Sequence, residues 1–214
     1  KFPSNQRWGF FPSASAGWRI SEEDFFTPVT GWWDNLKLRY SFGSLGNQQV
    51  GYYDYIRELT IGNSSYLFGG SKPLSASIEA PVASTLTWET VQQHNVGIDL
   101  GFLGNRLSFT GEAYIRDTKD MLTDGDALPG FYGAKAPKTN NADLRTKGYE
   151  LTLSWRDAFT LAGRPFEYDV TATFNDYISH ITKFDNPDKT FAKAYYEGMT
   201  YGEIWGYRTG GLFA

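Results

Sequence analysis

No cysteine occurs in the 214 residues, which removes a disulfide framework, a Cys-ligated zinc or iron–sulfur site and a thiol nucleophile. Histidine is nearly absent too. His94 and His180 are the two copies and lie far apart in the chain, so a His-rich metal site is not expected. A surplus of positive charge is also missing: 20 Lys and Arg stand against 24 Asp and Glu, a formal net charge of −4. A nucleic-acid partner needs a basic face to replace counterions on phosphate, so none is expected. No run of 18 apolar residues exists and mean hydropathy is −0.43, which excludes a helical membrane span.

Aromatic residues are plentiful instead. Seven Trp, 14 Tyr and 16 Phe make up 17% of the chain, beside 23 Gly. An aromatic-rich, Gly-rich, moderately polar chain fits an all-β protein, soluble or outer-membrane. It begins KFPSNQ and stops at GLFA, which reads as a mature product or an excised piece.

Period-two alternation marks the strands. Leu36, Leu38, Tyr40 and Phe42 alternate with Lys37, Arg39 and Ser41. Val96, Ile98, Leu100 and Phe102 alternate with Asn95, Gly97, Asp99 and Gly101. The same pattern covers Leu107–Arg116, Lys147–Arg156 and Phe166–Asn175, with weaker segments at Gly9–Ile20 and from Glu203 onward. One apolar face per strand predicts antiparallel pairing, about seven strands in all, and no segment carries a helical stripe.

The connections alternate in length. Leu103, Gly104, Asn105 and Arg106 make a tight hairpin, and a short turn near Gly163 and Pro165 makes another. Long connections run from about Asn47 to Gln92 and from about Lys119 to Arg145. Alternating short turns and long loops suit an outer-membrane barrel. Trp18, Trp33, Phe102, Phe109, Trp155 and Phe166 at the short-turn ends, with Phe42, Tyr149 and Phe174 opposite, suit aromatic girdles. A soluble sandwich with the apolar faces turned into a core has the same periodicity, so both architectures stay open at this level.

Ordered blocks decide further. FFPSASAGWRISEEDFF (Phe10–Phe26), DNLKLRYSFGSLGNQ (Asp34–Gln48), LTWET (Leu86–Thr90) and the long run Asn95–Leu122 resemble a SusC/RagA-type TonB-dependent outer-membrane transporter. The likeness continues through Asn141–Asp157 and Gly202–Phe213 and is least between Asn47 and Pro81. It implies an antiparallel transmembrane β-barrel of about 22 strands whose lumen an N-terminal plug occupies. At about ten residues per strand such a barrel exceeds this chain, so residues 1–214 are expected to be one barrel section without plug or closing strands. The resemblance also implies a Gram-negative outer-membrane location, a SusD-like surface lipoprotein as lid, and energy from the TonB complex through the missing N-terminal region. Cargo would be oligosaccharide or peptide, membrane lipid would surround the wall, and neither a cofactor nor enzymatic turnover is expected.

Glycan capture would use aromatic faces against sugar rings. Tyr52, Tyr53, Tyr55, Tyr66, Phe68 and Trp88 on the first long connection are the candidates; the competing reading packs them against the loop or the barrel mouth. The polar faces offer Lys37, Arg39, Asp99, Glu112, Arg116, Glu150, Arg156, Glu167 and Asp169 to a lumen. Their mixed signs suit cross-pairing better than a selectivity ring. Asp117, Asp120, Asp124 and Asp126 fit no EF-hand spacing and read as a solvated acidic loop, while Asp185 and Asp188 flank an Asn-Pro turn. Glu89 beside Trp88, or Glu22 with Glu23, could be nominated for glycosidase work, but no further feature singles them out. No G-x-S-x-G elbow and no phosphate loop is present.

Overall fold

The computed structural model describes residues 2–29, 31–48, 51, 55–78, 81–83, 86–126, 128–134, 136–190, 193–206 and 208–211. Six strands form one antiparallel sheet: β1 (Ser13–Arg19), β2 (Trp33–Asn47), β5 (Glu89–Phe102), β6 (Leu107–Asp124), β7 (Lys138–Leu161) and β8 (Arg164–Lys183), in the order β1-β2-β5-β6-β7-β8. The remaining pair, β3 (Leu59–Asn63) and β4 (Leu74–Ile78), makes a separate hairpin inside the first long connection. Helical structure among the described residues is confined to short 3₁₀ turns.

Register carries the alternation across all six strands. Leu38, Ile98, Gly111, Leu151 and Phe174 lie in one row, and Tyr40, Val96, Ala113 and Tyr149 in the next. Between them, on the opposite face, run Arg39, Gly97, Glu112, Glu150 and Asn175. Over these rows cross-strand neighbours share polarity, the arrangement that fixes register, until Asp176 opposite Tyr149 and Lys147 opposite Ile115 end the apolar rows toward the long connections. Among the described residues no second sheet covers the apolar face, where Val96 is 57% and Phe174 59% exposed. A sandwich would bury those side chains, so the sandwich alternative is not what this chain forms.

The apolar face has roughly the height of a barrel's lipid-facing band. From Phe166 to Phe174, before Asp176 interrupts the alternation, β8 covers about 26 Å at roughly 3.3 Å per residue. Tilting by about 40° reduces that to about 20 Å of height, near the ~25 Å apolar band of outer-membrane barrels. At the short-turn end Trp32 stacks on Phe102 at 5.9 Å, Trp33 meets Phe102 at 5.3 Å, and Phe159 meets Phe166 at 5.1 Å. At the other end Phe42 packs on His94 at 4.9 Å, and the Tyr40 hydroxyl bonds His94 Nδ1 at 2.8 Å. His94 thus lies within β5 as a girdle residue.

Four expectations need correction. The strands β2 and β5–β8 are longer than ten residues, because pairing continues past the apolar band toward the long connections. Asp117, Asp120 and Asp124 consequently belong to β6 and not to a loop. The weak N-terminal segment pairs only over Ser13–Arg19, since Pro12 has no N–H to extend the ladder. No strand forms among the described residues from Glu203 onward. Residues Gly198–Tyr201 add a short bridge to the edge of β8, through Ile181 N–H to the Met199 carbonyl and Tyr201 N–H to the Ser179 carbonyl. Gly202 then turns away at positive φ, and the glycines that follow have no side chain to pack.

Candidate functional site

The face opposite the apolar band is a polar wall built by β2, β5, β6, β7 and β8. At its middle the Arg39 guanidinium donates to Asp99 at 2.8 and 3.0 Å and to Glu112 at 2.7 Å. Thr110 donates to Asp99 at 3.2 Å and Asn95 to Glu112 at 3.1 Å. Gly97 makes room for this cluster: a Cβ there would stand 3.0 Å from the Arg39 guanidinium carbon. Nearer the short turns Arg156 pairs with Asp169 at 3.5 Å, while Arg106 of the β5–β6 turn pairs at 3.3 Å with Asp157, a position of the opposite parity. Opposite charges on neighbouring strands therefore neutralise one another, and the wall presents no ring of one sign.

The long-loop end is tied down by side-chain amides and carboxylates. Asn140 grips Thr87 through both its amide groups, at 3.0 and 3.1 Å, and donates to the Asp120 carbonyl at 2.7 Å. Glu89 accepts from Asn47 at 2.6 Å and from the Leu122 N–H at 2.8 Å. That carboxylate, at the start of β5, ties the ends of β2 and β6 to it. Beyond β8, Asn186 is 5% exposed and satisfies itself through Thr190 and the Tyr195 carbonyl. The expected turn at Pro187 follows it. Lys193 spans two connections, meeting Asp126 at 2.9 Å and Asp185 at 3.4 Å. The hydrogen bond that the Lys193 ammonium donates to Asp126, aided by Asp185, holds that ammonium above its ordinary pKa. Among the described residues no three of His, Asp or Glu converge as a metal site would require.

The candidate aromatics separate. Tyr52 and Tyr53 lie outside the described residues. Tyr55 is half-buried near the start of the connection, while Tyr66 and Phe68 are exposed on the β3–β4 hairpin tip, where Phe68 bridges to Ser71. Trp88 packs between Phe2 at 5.3 Å and Phe11 at 5.4 Å. It lines a cavity of about 440 Å³ shared with Phe42, Ser44, Thr90 and Gln92, whose strand positions belong to the apolar parity. Trp88 is therefore parted from Tyr66 and Phe68 and serves a packed cluster.

Two aromatic groups escaped the sequence reading. Phe184, Tyr195 and Tyr201 form a chain at 5.6 and 6.0 Å, with Tyr196 against Trp205 at 5.8 Å and Lys189 over Tyr196 at 4.8 Å. Only the Asn-Pro turn hinted that this stretch folds back. On the polar wall, Tyr114 and Tyr177 flank Gly148. Tyr114 was legible as a polar-face position of β6, but its partner needed the register.

All 214 residues match the family model for the TonB-dependent receptor-like β-barrel. The chain belongs to that family. It is 31% identical over 192 residues to the TonB-dependent receptor SusC of Bacteroides thetaiotaomicron, covering 88% of this chain and 18% of the relative. It is 28% identical over 218 residues to TonB-dependent receptor P39 of Formosa agariphila, covering 100% of this chain and 20% of that protein. The chain thus spans about a fifth of the length of the curated relatives it matches. Among solved structures, the RagAB peptide transporter superposes with a TM-score of 0.71 at 28% identity, over 86% of this chain and 19% of that one. As a TonB-dependent receptor barrel section, the six-stranded sheet is an unclosed arc: β1 and β8 each have one strand neighbour. Barrels of this family are outer-membrane proteins, and the relatives are receptors and transporters, not enzymes.

Proposed function

We propose that this chain is a section of the wall of an outer-membrane transporter that imports oligosaccharides, or peptides, with a SusD-like lipoprotein as its lid. The observation that carries the reading is the two-faced sheet. One face bears an apolar band rimmed by aromatics, and the other bears internally paired charges, as lipid on one side and an aqueous lumen on the other require. The remaining strands, the plug and the contact to the TonB complex would belong to the parent polypeptide; two sheet edges without further strands and a one-fifth share of the relatives' length support this. The short turns face the periplasm and the long connections face outward. Tyr55, Tyr66 and Phe68, on the connection that also carries Tyr52 and Tyr53, would meet cargo or lid, whereas Trp88 would contribute by its packing against Phe2 and Phe11 just before β5.

Orientation is testable in the full-length protein, because this section carries no native cysteine. Tyr66→Cys and Arg164→Cys variants are exposed to a membrane-impermeant maleimide on intact cells. The Tyr66 position should label directly, and the Arg164 position only after the outer membrane is permeabilised. Labelling of Arg164→Cys on intact cells would reverse the assignment of the two ends.

A further inference from the structure

The polar wall carries one aromatic feature that its charge pairing does not explain. In the row Asn95–Tyr114–Gly148–Tyr177, the side chains alternate across β5, β6, β7 and β8 on the lumen side. Gly148 is needed for close approach. A Cβ there would stand 2.6 Å from Cζ and Oη of Tyr114 and 2.9 Å from Cβ of Tyr177. The Tyr114 ring therefore lies across the Gly148 backbone. Arg116 holds it from the row above, with its guanidinium 5.5 Å from the ring centroid and its Nε donating to Gln93 at 2.9 Å. Tyr114 is thus fixed and half-buried, while Tyr177 beside it is 68% exposed. One row toward the short turns stand Glu150 and Asn175, both exposed. The row lies beyond Phe174, beside Asp176, where the apolar run of β8 ends on the long-loop side.

We infer that Tyr177 is a ring-stacking contact for a sugar unit of the cargo on the lumen wall, with Tyr114, clamped over Gly148 by Arg116, as its positioning residue. The inference rests on the transporter reading and refines its cargo class. A pyranose offers an apolar C–H face and a rim of hydroxyls. The exposed ring of Tyr177 meets the first, and Glu150, Asn175 and Arg116 around it accept from and donate to the second. Placing the contact on strands gives it a rigidity that the exposed hairpin tip carrying Tyr66 and Phe68 lacks. Within this section Tyr177 lies on the surface of the wall, so its truncation removes none of the packing between these strands.

The test uses the full-length transporter with its partner lipoprotein, and a panel of α- and β-linked glucan oligosaccharides and a pool of mixed peptides as probes. Tyr177→Ala should weaken binding of the preferred oligosaccharide about tenfold, the worth of one stacked ring. Tyr177→Trp and Tyr177→Phe should hold it, because the ring face and not the hydroxyl makes the contact. Protease resistance of the plug should be the same in all three. Unchanged affinity in Tyr177→Ala overturns the inference and leaves the transporter reading standing, as does a loss in Tyr177→Phe equal to that in Tyr177→Ala. A plug that becomes protease-sensitive in Tyr177→Ala overturns it in favour of a plug contact. Binding of peptides and no glycan by the wild type overturns it together with the oligosaccharide cargo; failure to bind or import either class would count against the transporter reading itself.

Discussion

Asn186 shows how a single side chain can organise a connection. Its amide donates to the Thr190 and Tyr195 carbonyls while its oxygen accepts from Thr190, all within a site that is 5% exposed. Replacing it by Ala leaves those backbone groups unpaired, which costs about 1–3 kcal/mol. The expected outcome for Asn186→Ala is faster amide exchange and proteolysis confined to residues 184–201, with strand protection unchanged. Arg39 has a different task. Held by two carboxylates over a glycine, it keeps Asp99 and Glu112 from repelling one another across β5 and β6.

Among the elements, the β7–β8 hairpin has a two-residue turn, with Leu161 paired to Arg164. Ala162 and Gly163 both hold positive φ, at 52° and 75°, as a two-residue loop matching the strand twist demands. Gly163 adopts this freely; Ala162 does so against its Cβ. Ala162→Asn should therefore stabilise the hairpin by about 0.5–1 kcal/mol, read as slower unfolding of the purified barrel in denaturant. The β5–β6 turn is reinforced from outside, because Asp34 accepts the Asn105 N–H at 2.9 Å and Leu103 N–H reaches the Trp32 carbonyl at 3.2 Å. That turn therefore takes support from Trp32 and Asp34 around the start of β2, a link invisible in its own four residues.

For the whole molecule, two solvents act on one sheet. Adjacent residues of β8, Thr173 and Phe174, face opposite sides, toward the lumen and the lipid. Val170→Arg, on the same face as Phe174 and midway between Phe166 and Phe174, should cost about 2–4 kcal/mol, read as less folded, heat-modifiable barrel in the outer membrane. Thr173→Arg should change that yield little, since an aqueous lumen solvates the guanidinium. Equal losses in the two variants would contradict the assignment of faces.

The strands, their polarity and the alternation of short and long connections were legible in the sequence, because a period of two is a local property of side chains along one backbone. Alternation by itself could not say whether the apolar face meets lipid or another sheet; the uncovered face and the family decided that. Local pattern also missed strand ends. Asp117–Asp124 and Lys138–Leu144 lack clean alternation, yet pairing continues there because Asn140, Glu89 and Asp143 hold the backbone. The loop aromatics were named from composition, but only tertiary packing separated Trp88, wedged between Phe2 and Phe11, from the exposed Tyr66 and Phe68. The lumen-side pair of Tyr114 and Tyr177 is the clearest case. The two residues lie far apart in the chain and meet across Gly148 only because the register of three strands, set by long-range hydrogen bonds, brings them into one row.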